Sequence, residues 1–210
     1  MIPILAGLVL GFSILLFVEN LHKHKRISTE MARKIIHLEA GLILIVWSFL
    51  INWQSIVAIE IIFLAVVGVT RWFKFFDSQN GINRITWGEF FFPVGVILAI
   101  MLGAPRWVFI LAMLHLAVAD AAAALIGKKY GKGNSYEVLG QKKSVAGSLA
   151  FFAVSLILII GATIIAPSGM GSIGLVSLLF LPIITTMAEN LGVYGSDNLI
   201  IPLVVVLLLS

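Results

Sequence analysis

Long apolar runs constrain the fold of this 210-residue chain more than any other feature. A helix that crosses the hydrocarbon core of a bilayer needs about 20 mostly apolar residues. Runs of this kind recur along the whole sequence, and the last of them is short for a full crossing. The predicted spans are Ile2–Leu21, Ile35–Leu50, Ile56–Phe73, Phe90–Leu102, Trp107–Ile126, Val145–Ala166, Leu175–Glu189 and Leu199–Leu209. We therefore predict an all-α, polytopic helical bundle in the membrane with seven or eight spans.

The composition excludes other classes of protein. The chain is 60% hydrophobic and 11% charged, whereas soluble domains are about 25% charged. A transmembrane β-barrel would show alternating segments instead of continuous apolar runs. Cysteine is absent, which excludes disulfides, thiolate metal sites and cysteine nucleophiles. With no internal repeat and no linker, residues 1–210 are predicted to form one domain whose first run is a retained span.

The basic residues predict the orientation. Of the 14 lysines and arginines, all except Arg106 fall in loops that alternate along the predicted spans. The positive-inside rule then places the N-terminus outside and these loops in the cytoplasm. The predicted cytoplasmic loops are about 22–34, 74–89, 127–144 and 190–198. We expect a multi-pass protein of a prokaryotic plasma membrane whose active site faces the cytoplasm. A positive charge confined to short loops does not indicate a nucleic-acid partner.

Two ionisable groups occur in the second predicted span, after a basic pair in Arg33-Lys34-x-x-His37-x-Glu39. Arg33 and His37 share a helix face because they are four residues apart. Arginine and lysine bind phosphate oxygens, but positive-inside anchoring explains that pair equally well. Anchoring does not need His37 or Glu39 inside the bilayer, where ionisable groups are costly. The motif therefore favours an anion clamp.

A helix of small residues surrounds Asp120, roughly 10 Å inside the fifth span. Asp120, Ala124 and Gly127 share one face, which lets a helix or a ligand approach closely. The carboxylate is a candidate to bind Mg²⁺ or to remove a proton, since Mg²⁺ on a nucleotide needs only one or two carboxylates. The alternative is a packing helix in which Asp120 forms a salt bridge.

The following loop is rich in glycine and lysine. Glycines let backbone N–H groups approach phosphates, and Ser144 would lie at the start of the sixth span, where N–H groups face an anion. The loop is not a Walker A motif, because its spacing differs. Binding of anionic lipid headgroups would explain the lysines but not the glycines. The candidate nucleotide-binding residues here are Gly127, Lys128, Gly131, Lys132, Lys143, Ser144 and Gly147.

Four further polar residues flank predicted cytoplasmic turns. Glu89 follows Gly88 and is either a second metal-ligand carboxylate or a cap of the fourth span. Glu189 and the pair Asp197-Asn198 could complete the site, with the pair as metal ligands, or serve as turn and cap residues.

Together these motifs resemble the CTP-dependent lipid kinase family, which includes phytol, farnesol, dolichol and diacylglycerol kinases. The similar pieces, in chain order from about residue 30 to 205, are Arg33-Lys34-x-x-His37, Gly88-Glu89, Asp120-x-x-Ala123-x-x-x-Gly127, Gly131-Lys132, Lys143-Ser144-x-x-Gly147, Glu189 and Asp197-Asn198-x-x-x-Pro202. The short length looks most like the compact phytol or polyprenol kinase type.

The resemblance implies phosphoryl transfer from CTP to a membrane alcohol with Mg²⁺. It implies that the nucleotide site includes Arg33, Lys34, Asp120, Gly127, Lys143 and Ser144. We expect Asp120 to hold Mg²⁺ with Glu89 or Asp197, and His37, Glu39 or Asp120 to accept the alcohol proton. The lipid tail would lie between spans in the bilayer.

Two other functions remain open from the sequence. A cytidylyltransferase would make a CDP-lipid from CTP and a lipid phosphate with the same elements. A lipid transporter or flippase would also contain buried charges, although the predicted outer half has few. The sequence leaves open the alcohol, CTP against ATP, and the oligomeric state.

Overall fold

The computed structural model describes residues 1–73, 87–165 and 175–210. The helices are α1 (Ile2–Lys23), α2 (Thr29–Leu50), α3 (Trp53–Phe73), α4 (Gly88–Met101), α5 (Arg106–Leu114), α6 (Asp120–Tyr130), α7 (Val145–Ile165), α8 (Leu175–Leu191) and α9 (Asp197–Leu209). A π-helical turn, His115–Ala119, joins α5 to α6, and a 3-10 turn, Gly131–Gly133, follows α6. The strands β1 (Ser135–Val138) and β2 (Gln141–Ser144) form one antiparallel hairpin.

These helices confirm the predicted all-α bundle. Among the described residues, four stretches are long and apolar enough to cross a membrane: α1, α3, α7 and the continuous helical stretch Arg106–Gly133. α4, α9 and the described part of α8 are shorter apolar helices. α2 has 22 residues, and its charged first turns set it apart from the long apolar helices. Each predicted span therefore corresponds to a helix among the described residues, while most of the predicted loop 74–89 lies outside them.

The central helix of the bundle is α5. Val108, Phe109, Ala112 and Met113 on this helix are fully buried. They belong to a core that also includes residues of α2, α4, α7, α8 and α9. By contrast, α1, α3 and α7 carry many exposed apolar side chains. Apolar outer faces of this kind are what helices in contact with lipid require.

The second helix begins before its predicted span. Ser28 is the N-cap of α2, and its Oγ accepts a hydrogen bond of 3.3 Å from the backbone N–H of Met31. Serine at this position satisfies a backbone donor that the helix itself leaves unpaired. As a result, Arg33 and Lys34 lie on the helix itself, whereas the sequence placed them in the loop 22–34.

A hairpin occupies most of the predicted loop 127–144. Its register pairs Ser135 with Ser144 and Val138 with Gln141. The two-residue turn contains Leu139 and Gly140, with φ angles of 48° and 77°. Positive φ at both positions is typical of the type I′ turn that closes two-residue hairpins. The hairpin thus fixes the direction in which β2 returns to α7.

Candidate functional site

A polar cavity of about 540 Å³ lies at one end of the bundle. It is bounded by the first half of α2, by α6, by the hairpin and the start of α7, and by the turn between α8 and α9. These are segments that the sequence predicted to be on the cytoplasmic side. The predicted site residues that line the cavity are Arg33, Lys34, His37, Asp120, Gly127, Lys128, Gly131, Lys132, Lys143, Ser144, Gly147, Glu189, Asp197 and Asn198.

One buried ion pair joins α2 to α6 within the cavity. The Lys34 Nζ donates a hydrogen bond to Asp120 Oδ2, and their side chains are 15% and 5% exposed. Asp120 is the first residue of α6, immediately after the π-helical turn. A π-turn inserts a residue into the helix and is frequent at functional sites. The alternative predicted for Asp120, a salt bridge, is therefore present, and it lies inside the cavity.

A second ion pair joins the hairpin to α8. The Lys143 Nζ donates to Glu189 Oε1 at 2.6 Å and to the Glu189 backbone oxygen at 2.7 Å. Both side chains are largely buried, at 16% and 9% exposure. Buried ion pairs lose much of their Coulombic gain to desolvation and contribute little to stability. Two such pairs in one cavity are therefore better explained by binding than by folding.

Asp197 has an unpartnered oxygen in the same cavity. Its Oδ1 is buried and accepts no hydrogen bond from any of the described residues. The carboxyl interacts electrostatically with Asp120, Lys34, Lys143 and Glu189, which come from four different elements. A buried acceptor without a donor is costly. Asp197 is therefore a carboxylate available to an incoming cation.

Gly192 allows this approach of Asp197 to α8. A Cβ atom on Gly192 would lie 2.6 Å from the Cβ of Asp197, closer than side chains can pack. The turn that follows has positive φ at Tyr194 and Gly195. Asn198 is buried and donates its Nδ2 to the Gly88 backbone oxygen at 3.1 Å, which ties α9 to α4. Sequence reasoning missed Gly192, although its spacing before Gly195 was a signal for a tight turn.

The predicted glycines pack around Ser144 at the start of α7. A Cβ on Gly127 would lie 2.8 Å from Ser144 Oγ, and a Cβ on Gly131 would lie 2.6 Å from Ser144 Cβ. Ser144 Oγ in turn accepts a hydrogen bond of 3.1 Å from the backbone N–H of Gly147. These glycines therefore let α6 approach α7 closely, which brings the lysines of the loop to the cavity. Ser144 caps the helix, as its position in the sequence predicted.

Other cations also line the cavity, among them Lys128, Arg33 and Lys132. Lys128 donates to Ser28 Oγ at 3.0 Å and so connects α6 to the cap of α2. Arg33 lies 3.8 Å from Glu30 on the same helix. Lys132 is exposed in the 3-10 turn. The cavity therefore has two largely buried lysines inside and further cations around them, an arrangement suited to a polyanion.

Two of the three predicted proton acceptors line the cavity, and the third does not. His37 lines the cavity, and its ring lies 5.4 Å from that of Phe92 on α4. Asp120 also lines it. Glu39 does not: it faces α1, where a Cβ on Gly11 would lie 3.6 Å from Glu39 Oε1. That oxygen is buried and has no hydrogen-bond partner among the described residues.

Glu89 also lies away from the cavity. It forms an ion pair with Arg71 at the end of α3, and the Arg71 guanidinium lies over the rings of Trp87 and Phe90. The predicted metal ligands Asp120, Asp197 and Asn198 therefore share one cavity, and Glu89 is separate from them. In the described parts of the chain, no three histidine or acidic side chains cluster tightly enough to hold a metal ion. A cation here would need ligand oxygens from its partner molecule.

The fold and site together define a membrane-embedded helical bundle with a polar, mixed-charge cavity at one end. Comparison with known proteins agrees with this class. The chain is 28% identical over 213 aligned positions to a curated protein named phytol kinase from Synechocystis sp., covering 95% of this chain and 86% of that protein. No family model and no solved structure matches. The resemblance drawn from the motifs is confirmed: over nearly its whole length the chain is similar to a kinase of the phytol/polyprenol type.

Proposed function

We propose that this protein phosphorylates a membrane-embedded lipid alcohol, with CTP as the phosphoryl donor and Mg²⁺ as cofactor, at the cytoplasmic leaflet. The substrate class is an isoprenoid such as phytol, geranylgeraniol or a polyprenol or dolichol. The name of the curated relative supports phosphorylation of a lipid alcohol. The observation that carries the proposal is that cations and carboxylates converge in one cavity at the end of an apolar bundle.

The charge arrangement suits a metal-bound triphosphate. Lys34 and Lys143 each pair with a carboxylate. A triphosphate would bring negative oxygens for both lysines, and Asp120, once released by Lys34, would be available to hold the magnesium ion of the nucleotide. Phosphoryl transfer depends chiefly on positioning and on neutralisation of phosphate charge. The lysines of both pairs can therefore exchange their carboxylate partners for phosphate oxygens when the nucleotide binds.

Asp120 and Asp197 are the residues that fit Mg²⁺. Magnesium prefers carboxylate oxygens and is commonly held by one or two of them together with phosphate oxygens. The unpartnered Oδ1 of Asp197 and its electrostatic interaction with Asp120 meet that requirement. When bound, the ion would neutralise charge on the transferring phosphate.

The chain's own groups then perform three tasks. Lys34, Lys143 and Arg33 hold the phosphate oxygens, and Ser144 orders the start of α7 beside them. His37 accepts the proton of the alcohol, because it lines the cavity while Glu39 faces α1. The alcohol oxygen forms a bond to the γ-phosphorus as the bond to the bridging β,γ-oxygen breaks. The products are a lipid phosphate and CDP.

A direct experiment uses the purified full-length protein in lipid nanodiscs with γ-labelled CTP or ATP, Mg²⁺ and a panel of lipid alcohols. We expect label in the lipid product and release of CDP from CTP. His37→Asn should lower kcat at least tenfold, since a positioned general base contributes about 10²–10⁴-fold. His24→Asn is the matched control, because His24 is an exposed histidine that does not line the cavity.

Other outcomes would overturn the proposal in different ways. Release of pyrophosphate and formation of a CDP-lipid from a lipid phosphate would identify a cytidylyltransferase. If the protein is reconstituted in vesicles, movement of lipid from one leaflet to the other without any nucleotide would identify a transporter. Equal or better transfer from ATP would remove CTP from the proposal but leave the lipid kinase.

A further inference from the structure

A cluster of three neutral polar side chains lies beside the cavity and belongs to none of the predicted motifs. The Tyr136 hydroxyl on β1 lies 2.6 Å from Ser148 Oγ on α7 and also donates to Asn190 Oδ1 on α8. Ser148 Oγ donates to the same Oδ1 at 2.9 Å. The three groups therefore connect the hairpin to two helices at once.

The orientation of the Asn190 amide is fixed. Its Nδ2 donates to the backbone oxygen of Thr186 at 2.9 Å, one turn earlier on α8. This leaves Oδ1 as the acceptor that faces the two hydroxyls. Because both hydroxyls converge on one oxygen, the cluster specifies where β1 contacts α8.

The hairpin register relates this cluster to the second ion pair. Tyr136 is the cross-strand partner of Lys143. Asn190 directly follows Glu189 along α8. Two neighbouring side chains of the hairpin thus contact two consecutive residues of one helix: Tyr136 contacts Asn190, and Lys143 contacts Glu189.

The two contacts differ in what nucleotide binding does to them. In the proposed function, Lys143 leaves Glu189 to bind a phosphate oxygen. The Tyr136 contacts carry no charge and so do not compete for the phosphate. At the other end of the hairpin, a Cβ on Gly140 would meet no atom within 4 Å, so the tip offers little packing.

From these contacts we propose that Tyr136, together with Ser148 and Asn190, is a positioning residue that keeps the hairpin on α8 while Lys143 changes partner from Glu189 to the nucleotide. This inference rests on the proposed function for the identity of the anion. Tyr136 itself touches neither substrate in this arrangement. It acts through Lys143.

The test is Tyr136→Phe in the full-length protein in nanodiscs. The variant keeps the ring and removes the hydroxyl. We expect the KM for CTP to rise about fivefold, which is the size expected for loss of one net hydrogen bond, with kcat changed less than twofold. A rise in KM with unchanged kcat is the signature of lost ground-state binding. Tyr130→Phe is the matched control, because Tyr130 is 57% exposed at the end of α6, before the hairpin.

A second measurement does not depend on activity. Amide hydrogen exchange of residues 135–144 should be faster in Tyr136→Phe and in Ser148→Ala than in the wild type, while exchange in α5 stays unchanged. An unchanged KM together with unchanged exchange would overturn the positioning role. So would an equal fall in kcat and in thermal stability without a change in KM, which would mark a structural role only. If the wild type transfers no phosphate, the proposed function fails, and faster exchange would still support the hairpin contact.

Discussion

Three of the ion pairs among the described residues have similar chemistry but different surroundings. Lys34–Asp120 and Lys143–Glu189 face a polar cavity, whereas Arg71–Glu89 lies outside it against aromatic rings. The first two each join elements that are distant in the chain, and each contains a lysine. The third joins the end of α3 to the start of α4 through an arginine. The comparison teaches that location in the tertiary structure separates a site from a structural contact.

The choice of cation fits this difference. Arginine stacks on aromatic faces and is weakly hydrated, so it suits a permanent contact. The Arg71 guanidinium lies 4.7 Å from the centre of the Trp87 ring and 5.8 Å from that of Phe90. A lysine ammonium is a flexible point charge that can change partners. Glu89 is also favoured where it lies, because a carboxylate in the first turn of a helix interacts well with the helix dipole.

The largest expected effect is on Asp120. Asp120→Asn keeps the volume of the side chain but removes its charge, so both the ion pair with Lys34 and the proposed magnesium ligand are lost. We expect kcat with CTP to fall at least about 100-fold, the size typical for loss of an electrostatic stabiliser. Labelled phosphate transfer in nanodiscs measures the change. Glu137→Gln, an exposed carboxylate on the hairpin, is the control, and an Asp120→Asn enzyme of normal rate would remove this pair from the mechanism.

The second prediction separates the binding role of the Lys143–Glu189 pair from its contribution to stability. Lys143→Gln should raise the KM for CTP about tenfold or more and should also lower the Tm, because Glu189 is left buried without a cation. The double variant Lys143→Gln/Glu189→Gln should recover most of the Tm but not the activity. Recovery of both in the double variant would mean that the pair is structural, like Arg71–Glu89.

The third prediction concerns the glycines that bring the lysines to the cavity. Gly127→Ala would place a Cβ 2.8 Å from Ser144 Oγ, so either the hydroxyl gives up its hydrogen bond from Gly147 N–H or α6 moves away from α7. We expect a loss of roughly 1–3 kcal/mol in stability, as for other overpacked interfaces, and weaker CTP binding. Thermal unfolding and CTP titration measure both. Gly161→Ala on α7 is the control, since a Cβ there meets nothing within 4 Å, and equal behaviour of the two variants would contradict this account.

The smallest expected effect is on the pair outside the cavity. Arg71→Gln should lower the free energy of unfolding by about 1 kcal/mol, from loss of the cation–π contacts and the ion pair. The KM for CTP and kcat should change less than twofold. Steady-state kinetics and thermal unfolding of the same preparation provide the comparison. A large rise in KM would extend the site to Arg71 and Glu89 and would weaken the distinction between ion pairs inside and outside the cavity.

Much of the architecture could be predicted from the sequence. The apolar runs gave the helices, because a lipid environment requires continuous apolar segments and internally paired backbones. Charged groups inside such runs, such as His37 and Asp120, marked the site, because their cost in the membrane makes them rare. Most predicted site residues line the polar cavity at the end of the bundle.

Other features could not be read from the chain. The π-helical turn packs closely against α2: a Cβ on Gly41 of α2 would lie 2.7 Å from the Cβ of Ala117 in the turn. The facing of Glu39 toward α1 depends on where a neighbouring helix packs, and the pairing of Glu89 depends on where α3 ends. The hairpin with Tyr136 formed within a segment that was predicted as a loop. None of these contacts is between residues adjacent in sequence.

The sequence by itself determined that this protein is a helical membrane bundle and which ionisable groups need an explanation. The reason is that hydrophobic burial and the cost of a buried charge are properties of individual residues and short segments. The tertiary structure alone decided which of those groups meet. Ion pairing and hydrogen bonding act over a few ångströms, so only helix packing could place Asp120, Lys143 and Asp197 in one cavity and leave Glu39 and Glu89 outside it.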